Sequence, residues 1–219
     1  MRVDLRQLFS APFGVNVFVA REGDRSLVVD ATSGMDWAAF EPQLRAAIQG
    51  TTVEAVHLTH LHVDHVGGAA RVARLTGAPL LMHEDEAFAV EEGDMLATGA
   101  ALFGGAMEAH PVTRVREKEV VMLDRRAFEV LLVPGHSPAH TALWDPESRS
   151  LFSGDVVFEG GSFGRVDLPG ADAKTLIRSL ERLAALDPVN VYPGHMGAIE
   201  GNAREAILDS LDNARLTLG

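Results

Sequence analysis

The spacing of apolar and polar positions changes period several times along the chain, and each change predicts an element. Apolar runs at Val15 to Ala20 and Ser26 to Asp30, split by Glu22-Gly23-Asp24, predict two strands joined by a turn. Ser33-Gly34-Met35-Asp36 has the form of a capping box. Behind it Trp37, Phe40, Leu44 and Ile48 share one helical face, and Gly50 ends that helix. Val53 to Thr59 reads as a buried strand and Ala69 to Leu75 as a helix. Gly77-Ala78-Pro79 breaks the chain before a short strand at Leu80 to Met82. Strands return at Phe128 to Val133, Thr141 to Trp144, Ser150 to Ser153 and Val189 to Tyr192. Asp172 is placed to cap a helix whose apolar side is Leu176, Ile177, Leu180 and Leu183, stopped by Asp187-Pro188. Asn202, with Glu205 three residues on, opens a last helix that turns Leu208 and Leu211 inward. This alternation predicts an α/β fold, a mixed sheet covered by helices. With no repeat, low-complexity tract or linker, residues 1–219 are expected to form one domain.

The stretch from about 84 to 119 departs from the pattern. It is acidic at first and then apolar, Met-rich and punctuated by glycine from Met95 to Met107. Two readings fit: a core helix, or a lid insertion that turns Phe103 and Met107 toward a substrate on hinges at Gly99, Gly104 and Gly105.

Composition narrows the chemistry. A formal net charge of −12 argues against a nucleic-acid-binding face. The cluster Arg114, Arg116, Lys118, Arg125 and Arg126 is then expected to be solvated surface. The chain has no cysteine, so any metal must be held by nitrogen and oxygen. No apolar run reaches the roughly 20 residues of a membrane span, and the first residues lack a signal-peptide core; a soluble cytoplasmic protein is expected.

The densest chemistry is Thr59-His60-Leu61-His62-Val63-Asp64-His65-Val66-Gly67-Gly68, which leaves the Val53 strand with three imidazoles and a carboxylate in six positions. Those donors suit zinc, and also iron or manganese. Three further strand ends carry a ligand type directly after glycine: Gly135-His136, Gly154-Asp155 and Gly194-His195. Four loops thus offer seven candidate ligands, too many for one tetrahedral zinc and suited to two ions that share a carboxylate. His140 has no ligand context of its own and is expected to support the site or bond within the core. His57, His83 and His110 are expected to be structural or surface residues.

The run His60-x-His62-x-Asp64-His65, followed in order by His136, Asp155 and His195, resembles the metal-binding motifs of the metallo-β-lactamase superfamily. Gly135-His136-Ser137-Pro138-Ala139-His140-Thr141, Leu151-Phe152-Ser153-Gly154-Asp155 and Gly164-Arg165-Val166-Asp167-Leu168-Pro169-Gly170 look most like its glyoxalase II-like hydrolases. The resemblance implies a four-layer αβ/βα sandwich, two mixed sheets face to face with helices outside and the site at one edge. It implies that His60, His62 and His136 bind a first metal, that Asp64, His65 and His195 bind a second, and that Asp155 bridges them. Two divalent ions, zinc first and iron or manganese otherwise, would share a water of lowered pKa. Asp64 and Asp155 are then the carboxylates on which catalysis depends. The sequence after His195 reads as one helix, so no counterpart of the helical domain that gives full-length glyoxalase II much of its glutathione contact is expected.

The expected activity is metal-dependent hydrolysis of a small thioester, ester or lactone. A mononuclear iron persulfide dioxygenase and a phosphodiesterase or nuclease are the alternatives. Small molecules are the expected partners, without nucleic acid or membrane, and a homodimer is possible. Arg165 is expected to bind either a nearby carboxylate, with Asp167 as candidate, or the acidic part of a substrate.

Overall fold

A computed structural model describes residues 3–219. Alternation along single strands explains the layering. In β1 (Asp4–Ser10), β2 (Val15–Glu22) and β3 (Arg25–Val29) successive side chains leave opposite faces. Val17, Val19 and Val28 enter one apolar cluster, while Phe18, Ala20, Leu27 and Val29 enter another. Both faces of β2 and β3 are therefore buried, which is why these strands read as apolar runs instead of an alternation.

Helix α1 (Trp37–Ile48) covers the outer face with Phe40 and Leu44, then β4 (Thr52–His57) pairs parallel to β3. After β4 come α2 (Val63–Val66), α3 (Ala69–Thr76), β5 (Leu80–His83), α4 (Phe88–Glu91), α5 (Ala100–Phe103) and β6 (Val112–Val115). The first sheet runs β1-β2-β3-β4-β5-β6, antiparallel through β3 and parallel beyond it.

The second half repeats the scheme with β7 (Val120–Leu123), β8 (Arg126–Leu132), β9 (Thr141–Asp145), β10 (Ser150–Gly154), α6 (Ala173–Ala185), β11 (Asn190–Pro193), β12 (Ile199–Glu200) and α7 (Ala203–Leu218). This sheet runs β12-β11-β10-β9-β8-β7, with β10 and β11 parallel. Phe128, Val130, Leu143, Phe152 and Tyr192 meet Phe18, Leu27 and Val29 between the sheets. Leu131, Leu151 and Val191 point outward against Leu176, Leu180 and Leu183 of α6 and Ile207 of α7. Helices thus flank two mixed sheets, the expected αβ/βα sandwich.

Several local expectations are corrected. The Ser33–Asp36 capping box does not form: the Asp36 carboxylate accepts from Ser10 Oγ at 2.7 Å and Ala11 N at 3.1 Å, which leaves α1 without a side-chain cap. Asn202 likewise makes no cap bond. The sequence reading did not place β1, β6, β7 and β12, which are edge or near-edge strands where apolar contrast is weak. In the cluster expected to be solvated, Arg114 and Arg116 are exposed, pairing with Glu91 and Glu84, but Arg126 is buried and donates to Asp145 at 2.6 Å.

Asp172 does cap α6, accepting from Thr175 N at 2.7 Å. Asp172→Ala should lower stability by about 1 kcal/mol, the usual cost of a lost N-cap. Chemical denaturation of the two proteins would measure it, and an unchanged midpoint would show that the cap contributes nothing.

Candidate metal centre

Asp30 and the loops carrying the ligands all leave strand ends at one edge of the sandwich. Asp30 follows β3, His60 to His65 follow β4, His136 follows β8, Asp155 follows β10 and His195 follows β11. Gly135 and Gly194 allow the sharp approach. A Cβ on Gly135 would collide with the Leu176 backbone, and one on Gly194 with the Asp155 carboxylate.

All seven predicted ligands converge. His60, His62 and His136 form one set of donor atoms, and Asp64, His65 and His195 form a second. Within each set the atoms lie within 4.8 Å of one another. His62 Nδ1 is 2.9 Å from His136 Nε2, and His195 Nε2 is 3.2 Å from Asp64 Oδ2. Asp155 sits between the sets. Its Oδ2 is 3.3 Å from His195 Nε2 and 3.6 Å from His136 Nε2, and its Oδ1 is 3.3 Å from His65 Nε2.

Outer partners aim the rings. Nδ1 of His136 donates to the Arg165 carbonyl at 2.8 Å, and Nδ1 of His195 to the Gly14 carbonyl at 3.1 Å. Nδ1 of His65 donates to Asp30 at 2.8 Å, and Nδ1 of His60 faces Thr59 Oγ1 at 3.0 Å. Each of these bonds turns Nε2 inward and fixes the tautomer that a metal needs. Asp30 also accepts from the Thr59 backbone N–H and hydroxyl, so one carboxylate fixes two ligand residues' surroundings.

The electrostatics differ between the two sets. Burial, reinforced by the neighbouring imidazoles, pushes His60 well below the usual histidine value and His62 down to about 3; burial lowers His136 as well. These rings are neutral, with lone pairs available. In the second set burial also opposes charge, but carboxylates overcome it. Asp155, Asp30 and Asp64 raise His65 well above its ordinary value, and Asp155 with Asp64 raises His195 to about 10. Burial likewise disfavours the Asp155 anion, yet His65 and His195 hold it well below the carboxylate range.

The residues fit divalent metal. His60 Nε2, His65 Nε2 and Asp155 Oδ1 are buried and make no hydrogen bond. Leaving such atoms unpaired costs about 1–3 kcal/mol each, and coordination to a cation would offset it. The donor set, all imidazole and carboxylate, suits zinc, iron or manganese.

The sequence reading missed several supports. Glu86, wholly buried, accepts from Leu61 N at 2.9 Å and Ala139 N at 2.8 Å, clamping the first ligand loop to the loop of His136. Asn16 Nδ2 donates to the carbonyls of Pro193 and Met196 around His195. His140 Nε2 accepts from the Asp155 N–H at 3.0 Å while its ring stacks on His60 at 4.6 Å. His57 is buried against Thr141 Oγ1, and His83 is buried away from the ligands. Asp30 could have been suspected, as a carboxylate ending an apolar strand. Glu86 had no such signal among its acidic neighbours.

A cavity of 330 Å³ opens onto the ligands, with His62, Asp64, His136, Asp155 and His195 on its wall. Phe103 and Arg165 also line it; Met107 does not. Gly104, in the left-handed conformation, ends α5 after Phe103, and Met107 packs instead against the apolar cluster on the outer face of the first sheet. Arg165 grips Asp167 through two bonds of 2.6 and 2.7 Å, the carboxylate partnership its sequence context allowed.

Since His65 and His195 have raised pKa values, they hold protons in the metal-free chain at neutral pH, and a cation must displace them. Metal uptake should release protons, and affinity should rise with pH by ~tenfold per unit for each proton displaced. Calorimetric titration in buffers of differing ionisation enthalpy would count them. Uptake without proton release would mean that these two rings do not ligate.

The comparisons with known proteins agree with this geometry. A model of the metallo-beta-lactamase superfamily matches residues 10–195. The chain is 36% identical over 144 residues to hydroxyacylglutathione hydrolase GloC of Haemophilus influenzae, covering 63% of this chain and 66% of that protein. It is similar in structure to BLEG-1, a B3 metallo-beta-lactamase, with a TM-score of 0.81 at 27% identity, covering 98% of this chain and 100% of the other. It is also similar to TTHA1623 in a di-iron-bound form, with a TM-score of 0.73 at 32% identity and coverage of 95% and 96%. A family pattern that spans residues 10–195, on a sandwich whose strand ends bring its ligand types to one edge, makes this chain a member of the metallo-beta-lactamase superfamily.

Proposed function

We propose that this chain is a dinuclear metal-dependent hydrolase of a small thioester, ester or lactone. The observation that carries the reading is the pair of three-residue ligand sets with Asp155 between them, set in the wall of a solvent-reached cavity. Two divalent cations held there would supply Lewis acidity and a water whose pKa falls toward ~7. Zinc suits the donors best, with iron or manganese as alternatives.

The chain's own residues set the conditions for that chemistry. Asp155 faces both sets, with Oδ1 near His65 and Oδ2 near His195 and His136, so one carboxylate ties the two sets together. Asp64 reaches His195 from the other side and completes the second set. The carbonyls of Arg165 and Gly14 hold the Nδ1 protons of His136 and His195, so those rings cannot take up the wrong tautomer. Apolar side chains around the cavity limit the water that can compete with a bound substrate.

Similarity to hydroxyacylglutathione hydrolase GloC supports a thioester among the substrates, and the di-iron form of TTHA1623 supports two ions. A persulfide dioxygenase works with a single iron and has no use for Asp64, His65 and His195 together. A phosphodiesterase would face the chain's acidic charge of −12.

Metal-loaded protein should hydrolyse members of a panel of thioesters and lactones, with no turnover of phosphodiesters and no oxygen uptake on a persulfide. Oxygen uptake with one iron per chain would replace the hydrolase reading. Asp64→Ala should keep the fold, bind one ion fewer and lose about 100-fold or more in kcat, roughly 2.7 kcal/mol of barrier. Unchanged turnover in a variant shown to lack that ion would mean that one metal suffices.

A further inference from the structure

One imidazole in the cluster belongs to neither donor set. His140 is wholly buried, four residues past the ligand His136. Its Nε2 lies 3.0 Å from the backbone nitrogen of Asp155. A backbone N–H can only donate, so Nε2 is the acceptor and the ring carries its proton on Nδ1. The Nε2 lone pair that a cation would need is already in use. The face of the same ring stacks on His60, with 4.6 Å between centres and 21° between planes.

The main chain on both sides holds the ring in place. Ala139 N donates to Glu86 and Thr141 N to the Thr59 carbonyl, both at 2.8 Å, and the His140 carbonyl accepts from Val133 N at 2.8 Å. Gly154 provides the room. A Cβ at that position would lie 2.6 Å from both Cε1 and Nε2 of His140, so a side chain there would drive the ring off Asp155. The glycine before Asp155 therefore has a use beyond its turn, at a φ of +49°.

Asp155 is the carboxylate that faces both ligand sets. Turning its peptide would swing that carboxylate away from both at once. The bond from its N–H to His140 restrains that peptide, and an outer contact of this kind is commonly worth tenfold to about a hundredfold in metal affinity. Resting on the two-ion reading of the site, we propose that His140 is a positioning residue, which aims the Asp155 carboxylate by holding the Asp155 backbone N–H and so sets the chain's affinity for metal.

Two variants and one spectrum test it. His140→Phe keeps an aromatic face beside His60 and removes the acceptor. His140→Gln removes the ring and keeps an acceptor at similar reach. Zinc affinity would be measured by competition with a chromophoric chelator, beside thermal unfolding of the metal-free proteins. His140→Phe should lose about tenfold or more in affinity for at least one ion, and His140→Gln should lose severalfold less. A role confined to packing would lower the melting temperature and leave the zinc affinity of the folded variants unchanged, which would overturn the proposal. So would a His140→Gln protein that binds zinc no more tightly than His140→Phe.

The spectrum needs no variant to fold. In nitrogen-15-labelled wild-type protein loaded with zinc, a scalar coupling across the N–H···N bond should join the Asp155 amide to His140 Nε2. Its absence would overturn the proposal. A wild-type chain that takes up one zinc would count against the two-ion reading alone, because the affinity for that ion and the coupling still decide what His140 does. Neither readout uses turnover, so both stand apart from the hydrolase reading.

Discussion

Imidazole and carboxylate atoms without partners are buried at one edge of the sandwich, and the architecture around them is organised to tolerate that. Unsatisfied buried nitrogen and oxygen favour either water entry or local unfolding. Here neither is easy, because each ligand loop starts from the end of a strand held within one of the two sheets. The Val53 strand, for example, is flanked by β3 and β5 in parallel pairing, so the loop after it starts from a fixed point. The strain of packing like ligands together is thus carried by three apolar clusters, one between the sheets and one outside each.

The two halves of the sandwich each bring part of the site, so its geometry depends on their alignment. Bonds that cross between them provide it. Thr141 N donates to the Thr59 carbonyl at 2.8 Å, joining the start of the first ligand loop to the end of the His136 loop. Glu86 spans the same gap with one carboxylate oxygen on each side. Burial raises the pKa of Glu86, opposed by Ser137 and by the two N–H groups the carboxyl accepts from. Asn16 ties the beginning of β2 to the His195 loop at the other end of the chain. A sub-ångström error in any of these bonds would move a ligand, which is the physical reason for so many backbone-directed contacts around so few functional groups.

The fold was readable where apolar periodicity is strong. The helix of Leu176, Leu180 and Leu183 and the buried runs around Val17 and Val28 stand out because burial on one or both sides forces apolar residues there. The edge strands β1, β6, β7 and β12 did not, since each pairs with one neighbour only and buries no more than half of its residues, which leaves little apolar contrast. The ligand residues themselves were visible because His-x-His-x-Asp-His and three Gly-preceded polar residues have no ordinary structural use. Their supports were not. Asp30, Glu86 and Asn16 act through partners far away in sequence, and a single carboxylate in an acidic stretch carries no mark of burial. Met107 was misplaced for the same reason: glycine marked a turn after Phe103 but not its direction.

The account stands on two ions sharing Asp155. The most direct test is stoichiometric titration of the metal-free chain with zinc, followed by mass spectrometry under non-denaturing conditions. The account predicts saturation at two ions per chain in the intact protein. A chain that saturates at one ion, with the Asp64, His65 and His195 set left empty at excess zinc, would contradict it.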